Sequence, residues 1–236
     1  MWLIDIVKPD ESFTVADYKK LAIKTISDIA KRNKLPIMVG GTGLYIRAVV
    51  DNLTIPDIPA QPKLRRTLEA KTSKELYEKL LLCDLKTAAV IGKHNKRRLV
   101  RALEVAIASG SSFADQRQKG EALFDALQIG IEVPKETLFR RIEKRVETMI
   151  ASGLENEVRT LVKRYGWNSV LSNTIGYKEW RLLFEKNARI EDVITEVVRN
   201  TKQYVKKQLT WFKKDKRIHW ITNKEEAKQR IESFLR

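Results

Sequence analysis

The stretch Pro36-Ile37-Met38-Val39-Gly40-Gly41-Thr42-Gly43-Leu44-Tyr45 decides how the fold is read. Ile37 to Val39 is a short apolar run of the kind that forms a buried strand. It breaks at two adjacent glycines, and beyond Thr42 and Gly43 the apolar segment Leu44 to Val50 reads as a helix. A strand, a glycine-rich turn and a helix start expose backbone N–H groups to an anion. Gly40 and Gly41 let the backbone approach such a ligand, and Thr42 adds a hydroxyl. A P-loop needs a Lys after its second glycine, and this turn has none. A plain strand-to-helix connection uses the same glycines, so the turn alone does not choose between ligand site and connector.

Upstream, Leu3 to Val7 is a second apolar run, stopped by Lys8-Pro9-Asp10, and is expected to be a buried strand. Thr14 followed by Asp17 makes a capping-box-like helix start. Val15, Tyr18, Leu21, Ala22, Ile26 and Ile29 then recur at helical spacing. Strand, helix, strand, glycine turn, helix is the rhythm of a parallel α/β sheet. Downstream, Pro56, Pro59 and Pro62 mark Leu53 to Pro62 as a linker and domain boundary. From Lys63 to Lys119 only helical patterns occur. One apolar set is Leu64, Leu68, Leu76, Leu80 and Leu81; another is Val90, Ile91, Leu99, Leu103 and Ile107. The expectation is an α/β core formed by residues 1–52 and 120–236, interrupted by an all-helical insertion at 53–119. Leu127 to Val133 and Ile218 to Ile221 are expected strands, and Lys224 to Leu235 a final helix.

Lys and Arg number 46 against 30 Asp and Glu, a net charge of +16. Such an excess is the footprint of a polyanionic partner, most often nucleic acid, the alternative being a solvated basic surface. The cations are clustered. Lys93-His94-Asn95-Lys96-Arg97-Arg98, with Arg101, can put Arg97, Arg98 and Arg101 on one helix face, with Glu104 placed to orient Arg101. On the helix Thr137 to Ile150, Arg141 and Arg145 are four apart, and two guanidiniums on one face can clamp a diphosphate. A solvated face paired with Glu143 and Glu147 explains the same spacing, and spacing does not separate the two. Asn173-Thr174-Ile175-Gly176-Tyr177-Lys178 is a polar loop with an aromatic and a cation. Glu191 to Lys214 reads as one long helix. Its Lys202 to Lys213 portion interleaves cations, Gln and aromatics, a composition suited to RNA backbone and bases. Trp211 and Phe212 also suit a core, which is where a single aromatic more often belongs. No apolar run approaches a membrane span. The single cysteine, Cys83, excludes an internal disulfide, fits a reducing compartment, and with two histidines argues against a zinc site.

Several of these segments, in this order, resemble the tRNA dimethylallyltransferases (isopentenyl-diphosphate:tRNA transferases). The carriers are Leu3-Ile4-Asp5-Ile6 with Pro9, Pro36 to Tyr45, Arg98 to Val105, Pro134 to Met149 continued by Gly153-Leu154 and Glu157-Val158, Ile175 to Glu179, and Thr201 to Phe212. Together they cover nearly the whole chain. The resemblance implies a P-loop NTPase-like parallel sheet with a helical insertion. It implies transfer of a dimethylallyl group from dimethylallyl diphosphate to the exocyclic N6 amine of the adenosine 3′ of the anticodon. It implies Mg²⁺ with the diphosphate, a base flipped out of its stack, and a monomer in the cytoplasm bound to no membrane.

By the same resemblance, Thr42 stands near the reacting amine and Arg145 contacts the diphosphate, with Gly40, Gly41 and Arg141 beside it. Contacts to the tRNA anticodon stem-loop fall on Arg65, Arg97, Arg98, Arg101, Asn173, Thr174, Gly176, Tyr177, Lys178, Lys202, Lys206, Lys207, Gln208, Thr210, Trp211 and Lys213. The family's P-loop, the Asp that serves as general base and the segment ligating Mg²⁺ precede the point where this sequence starts. Met1-Trp2 stand where the family has His-His, Lys202 and Lys207 where it has Arg, and Val205 where it has Ala. The expectation is therefore a chain with little or no transfer activity by itself, and with strand edges at Leu3–Val7 and Ile37–Val39 open to aggregation. A tRNA-binding protein without catalysis is one alternative. A P-loop kinase of a small metabolite is another, although it would not need the basic helix around Thr210-Trp211-Phe212.

Overall fold

The computed structural model describes residues 2–56, 58–116 and 118–236. Met1, Asp57 in the expected linker and Arg117 near the end of the expected helical segment lie outside the described residues. The chain divides into two compact units. One comprises Thr14–Met38 and Leu44–Asp125; the other comprises Met1–Phe13, Val39–Gly43 and Ala126–Arg236.

The first unit is helical. Helix α1 (Val15–Lys31) starts on the expected capping box, with Thr14 and Asp17 each accepting the other's backbone N–H. Helix α2 (Gly43–Val50) follows the glycine turn. Tyr18 of α1 stacks on Tyr45 of α2 with ring centroids 4.3 Å apart, and Lys19 Nζ donates to the Leu53 carbonyl. Helices α3 (Pro62–Glu69), α4 (Ser73–Cys83), α5 (Leu85–Ile91) and α6 (Lys96–Ser109) then build their own core around Leu68, Leu76, Leu80, Leu99 and Leu103. Pro62 opens α3, where a missing N–H costs nothing. Leu81, Val90 and Ile107, assigned to the apolar sets by spacing, are exposed instead. Asp84 caps the start of α5 and ties it to the loop after α6. Burial pushes its carboxyl up, but hydrogen bonds from Thr87, Ser112 and Phe113 outweigh burial and hold it below the usual range. Entry and exit of this helical segment are pinned together: Thr54 N–H donates to Gln118 O, Gly120 N–H to Asn52 O, and Asn52 Nδ2 to Glu121 O.

The second unit contains strands β1 (Gln128–Ile131) and β2 (Ile218–Ile221), which pair in parallel from Gln128↔Ile218 to Ile131↔Ile221. Between them run α7 (Lys135–Ala151), α8 (Leu154–Tyr165), α9 (Arg181–Lys186) and the long α10 (Ile190–Phe212), and α11 (Lys224–Phe234) follows β2. The helices enclose a core of Val146, Val158, Trp180, Val193 and Val197.

Two expected strands do not form. Leu3 to Val7 and Ile37 to Val39 join no ladder among the described residues. Leu3 and Asp5 have φ of 61° and 53°, incompatible with a strand, and Ile37 and Val39 are 77% and 90% exposed. A strand exists only by pairing its N–H and C=O groups with a neighbour, and apolar side chains alone do not supply that neighbour. The observed architecture is thus a helix-rich chain with a small parallel sheet.

Candidate functional site

In the second unit, α10 organises the polar surface. Its first turns pack on the core through Val193 and Val197. Farther along, Gln208 is half-buried and donates from Nε2 to the Gly41 carbonyl at 2.9 Å. Trp211 lies against Gly43: a Cβ built there would meet Nε1 at 2.2 Å and Cδ1 at 2.3 Å. Gly43 is therefore required by the close approach of the Trp211 ring on α10. Gln208 and Trp211, expected on RNA, face the glycine turn. Gly40 has open space around it, and Thr42 is exposed with a hydroxyl that makes no hydrogen bond to described residues. Lys206 and Lys207 are exposed with no carboxylate partner among the described residues. Thr210 is exposed and donates back to Lys206 O. Lys213 is paired with Glu132 at 3.5 Å.

Helix α7 buries Ile142 and Val146 and turns Arg141 and Arg145 to solvent. Neither guanidinium has an ion-pair partner among the described residues. Glu143 instead pairs across to Lys202 of α10 at 2.6 Å, and Lys202 Nζ also lies 4.9 Å from the Phe139 ring centre. The pairing of Arg141 and Arg145 with Glu143 and Glu147 is not formed, and both arginines stand in solvent, so the solvated face and the diphosphate clamp both remain open. Lys202, expected on RNA, is occupied within the fold.

The polar turn between α8 and α9 is held from below. Gly176, at φ +94°, donates its N–H to buried Glu179 at 2.8 Å and accepts from Trp180 Nε1 at 3.0 Å. The second Glu179 oxygen accepts from Asn200 Nδ2 at 2.7 Å, with Lys178 Nζ 3.9 Å away. Asn173 and Thr174 donate to the carbonyls of Ser169 and Val170. Tyr177 donates its hydroxyl to Glu157 beside a cavity of about 190 Å³ lined by Met149, Leu154 and Ile175. Burial, then the Glu157 carboxylate, push the Tyr177 phenol up to about 12.

In the helical unit the four expected arginines separate. Arg97 and Arg98 are exposed at the start of α6 with no ion-pair partner among the described residues. Arg65 and Arg101 converge on fully buried Glu104. Arg65 binds it bidentately at 2.7 and 2.9 Å, Arg101 Nη1 at 2.6 Å, and the Gln61 N–H at 2.7 Å. Burial raises the Glu104 carboxyl, but these donors outweigh it and hold it below the usual range. Glu104 does orient Arg101, as its spacing implied, and it engages Arg65 as well. Arg65 fastens α3 to α6, and Arg101, on α6 itself, donates from Nη2 to the Ile58 carbonyl of the preceding linker at 3.1 Å.

With this geometry in hand, comparison with known proteins is specific. The family model described as IPP transferase matches residues 1–215.

The chain belongs to the IPP transferase family.

The tRNA dimethylallyltransferase of Moorella thermoacetica is 43% identical over 225 residues, covering 92% of this chain and 69% of that protein. The Bacillus subtilis tRNA dimethylallyltransferase is 38% identical, with 93% and 72% covered. Among solved structures, the full-length tRNA isopentenylpyrophosphate transferase from Bacillus halodurans matches with a TM-score of 0.68 at 34% identity, covering 99% of this chain and 76% of that one. A eukaryotic dimethylallyltransferase solved acting on tRNA matches at 0.70 with 27% identity, covering 87% and 54%.

Within this IPP transferase chain, sequence reading passed over Glu179, Asn200 and the Lys202 partnership of Glu143. Asn200 carried a legible sign: it continues the Val193, Val197 spacing, so it is a polar residue in an apolar stripe. Glu179, between Lys178 and Trp180, reads as one more surface charge, and nothing local reveals its burial.

Proposed function

We propose that this chain acts in tRNA modification, transferring a dimethylallyl group from dimethylallyl diphosphate to the N6 amine of the adenosine 3′ of the anticodon. The observation that carries the reading is the position of α10. One helix presents Lys206 and Lys207 to solvent and grips the glycine turn through Gln208. Family membership and the named relatives support it.

In this reading the amine nitrogen attacks C1 of the prenyl group and the C–O bond to diphosphate breaks. The alkylated nitrogen then gives up its proton to water or to the departing diphosphate. Arg141 and Arg145, unpaired by carboxylates among the described residues, meet the charge of the departing diphosphate. Gly40, Gly41 and Thr42 line the approach of the reacting groups. Lys206, Lys207, Lys178, Arg97 and Arg98 take RNA phosphates. A P-loop NTPase-like core with an insertion at 53–119 is part of the same reading, supported by the pinned neck at Asn52–Thr54 and Gln118–Glu121. Among the described residues no three His, Cys, Asp or Glu side chains come together, so the Mg²⁺ of the resemblance is given no ligands here and no step runs through it. A cytoplasmic monomer is the setting; no described helix is long and apolar enough to cross a membrane.

The test is a filter-binding titration with unmodified tRNA across salt, run beside transfer of label from dimethylallyl diphosphate. Binding that weakens steeply with salt supports the reading. Failure to bind tRNA at low salt refutes it.

A further inference from the structure

We propose that Glu179 and Asn200 are positioning residues for the RNA substrate: their half-buried contact fixes the Asn173–Lys178 turn to α10, so that both cationic elements meet RNA in one geometry. The inference rests on the tRNA reading above and goes beyond it by naming residues that touch no RNA.

Gly176 is held at both ends of its residue, its N–H by Glu179 and its carbonyl by Trp180. Its φ of +94° is one that a side chain would disfavour, so the turn is a set conformation. Glu179 is 4% exposed and Trp180 fully buried. Burying a carboxylate is costly, and a well-packed apolar residue serves stability as well or better. A carboxylate is nevertheless what this geometry requires. Two donors, the Gly176 N–H and the Asn200 Nδ2, face one side chain, and each takes one of its oxygens. An amide side chain offers one acceptor oxygen and cannot serve both donors as they stand. Lys178, adjacent in sequence, lies 3.9 Å from the oxygen that Asn200 binds, so the contact also restrains the turn's cation. Two residues along α10, Lys202 ties the helix to α7 through Glu143 at 2.6 Å. The turn, α10 and the arginine-bearing α7 are thus linked by buried and half-buried polar contacts through α10.

The chemistry suggests a swap experiment. Asn200→Asp sets carboxylate against carboxylate and should release the turn. Glu179→Gln alone is mild, because the Asn200 amide can turn over and accept from the new amide. The double variant E179Q/N200D restores the pattern: the Gln oxygen takes the Gly176 N–H and its amide donates to the new carboxylate. In tRNA filter binding, N200D should lose about tenfold in affinity, and its salt slope should fall by about 1 as the Lys178 contact is lost. E179Q/N200D should return to within about threefold of wild type, the usual residue of an imperfect swap. K178Q should lower the slope by about 1 in the wild-type background and add nothing to N200D. Dimethylallyl diphosphate affinity should be unchanged throughout. A merely structural role predicts a smaller active fraction with slope and K178Q effect intact. Should N200D fail to fold by circular dichroism, Asn200→Ala, which removes the donor without adding charge, should show the same slope change with a smaller loss. Wild-type binding with unchanged slopes in the variants overturns the inference and leaves the tRNA reading standing. Absence of wild-type tRNA binding overturns both.

Discussion

Substituting Gly43→Ala tests the packing of α10 on the glycine turn, and the sign of its effect decides the matter. Gly43 begins α2 with an ordinary helical start. In open space, Ala there would stabilise by about 0.4–1 kcal/mol, because it narrows the unfolded ensemble. The space is not open. The new methyl would lie 2.2, 2.3 and 2.9 Å from Nε1, Cδ1 and Cε2 of Trp211. An unstrained contact is about 3.5 Å, so the indole must retreat by about 1.3 Å or more. These are atoms of a rigid ring, so a small torsion does not relieve them, and overpacking of this kind costs about 1–3 kcal/mol. The net expectation is a loss of about 1–2 kcal/mol, or roughly 2–8 °C in melting temperature for a chain of this size. Differential scanning calorimetry measures it directly. Gly41→Ala is the control: its methyl would meet Gln208 Nε2 at 2.2 Å, but that is the end of a flexible side chain that can rotate away. Its cost should be about one hydrogen bond, roughly 1 kcal/mol. In a Trp211→Ala background the Gly43→Ala penalty should vanish. A Gly43→Ala protein as stable as wild type would refute the placement of Trp211 against the turn.

Replacing Arg141 and Arg145 singly by Gln should leave the melting temperature within about 1 °C, since neither holds a carboxylate, while weakening dimethylallyl diphosphate about tenfold each by calorimetric titration. Glu104→Gln breaks a buried carboxylate with several donors and should cost about 3–5 kcal/mol in denaturant unfolding. Because the folded Glu104 carboxyl lies below its unfolded value, its contribution is present above about pH 4.3 and lost as pH falls through the folded value. Wild type should lose stability on acidification more steeply than Glu104→Gln, and equal slopes would count against the network. In ultraviolet titration, the difference between wild type and Tyr177→Phe should show a phenol ionising near 12, and Glu157→Gln should bring it down.

Features whose cause lies within a few residues were legible in the sequence. The Thr14–Asp17 capping box and the Glu104–Arg101 pair sit where spacing put them. Strand β2 spans Ile218–Ile221 as read, and the ordered motifs led to the family. Only the tertiary structure decided the rest. Whether Ile37–Val39 is a strand depends on a neighbour, which no local apolar run contains. Arg65 reads as a surface cation until its partner 39 positions away is seen, Lys202 until Glu143 at 59, and Gln208 until Gly41 at 167. A side chain's charge and reach are written in the sequence. Which group it meets depends on packing between distant segments, so only the fold shows whether a cation stays in solvent or is taken up within the protein.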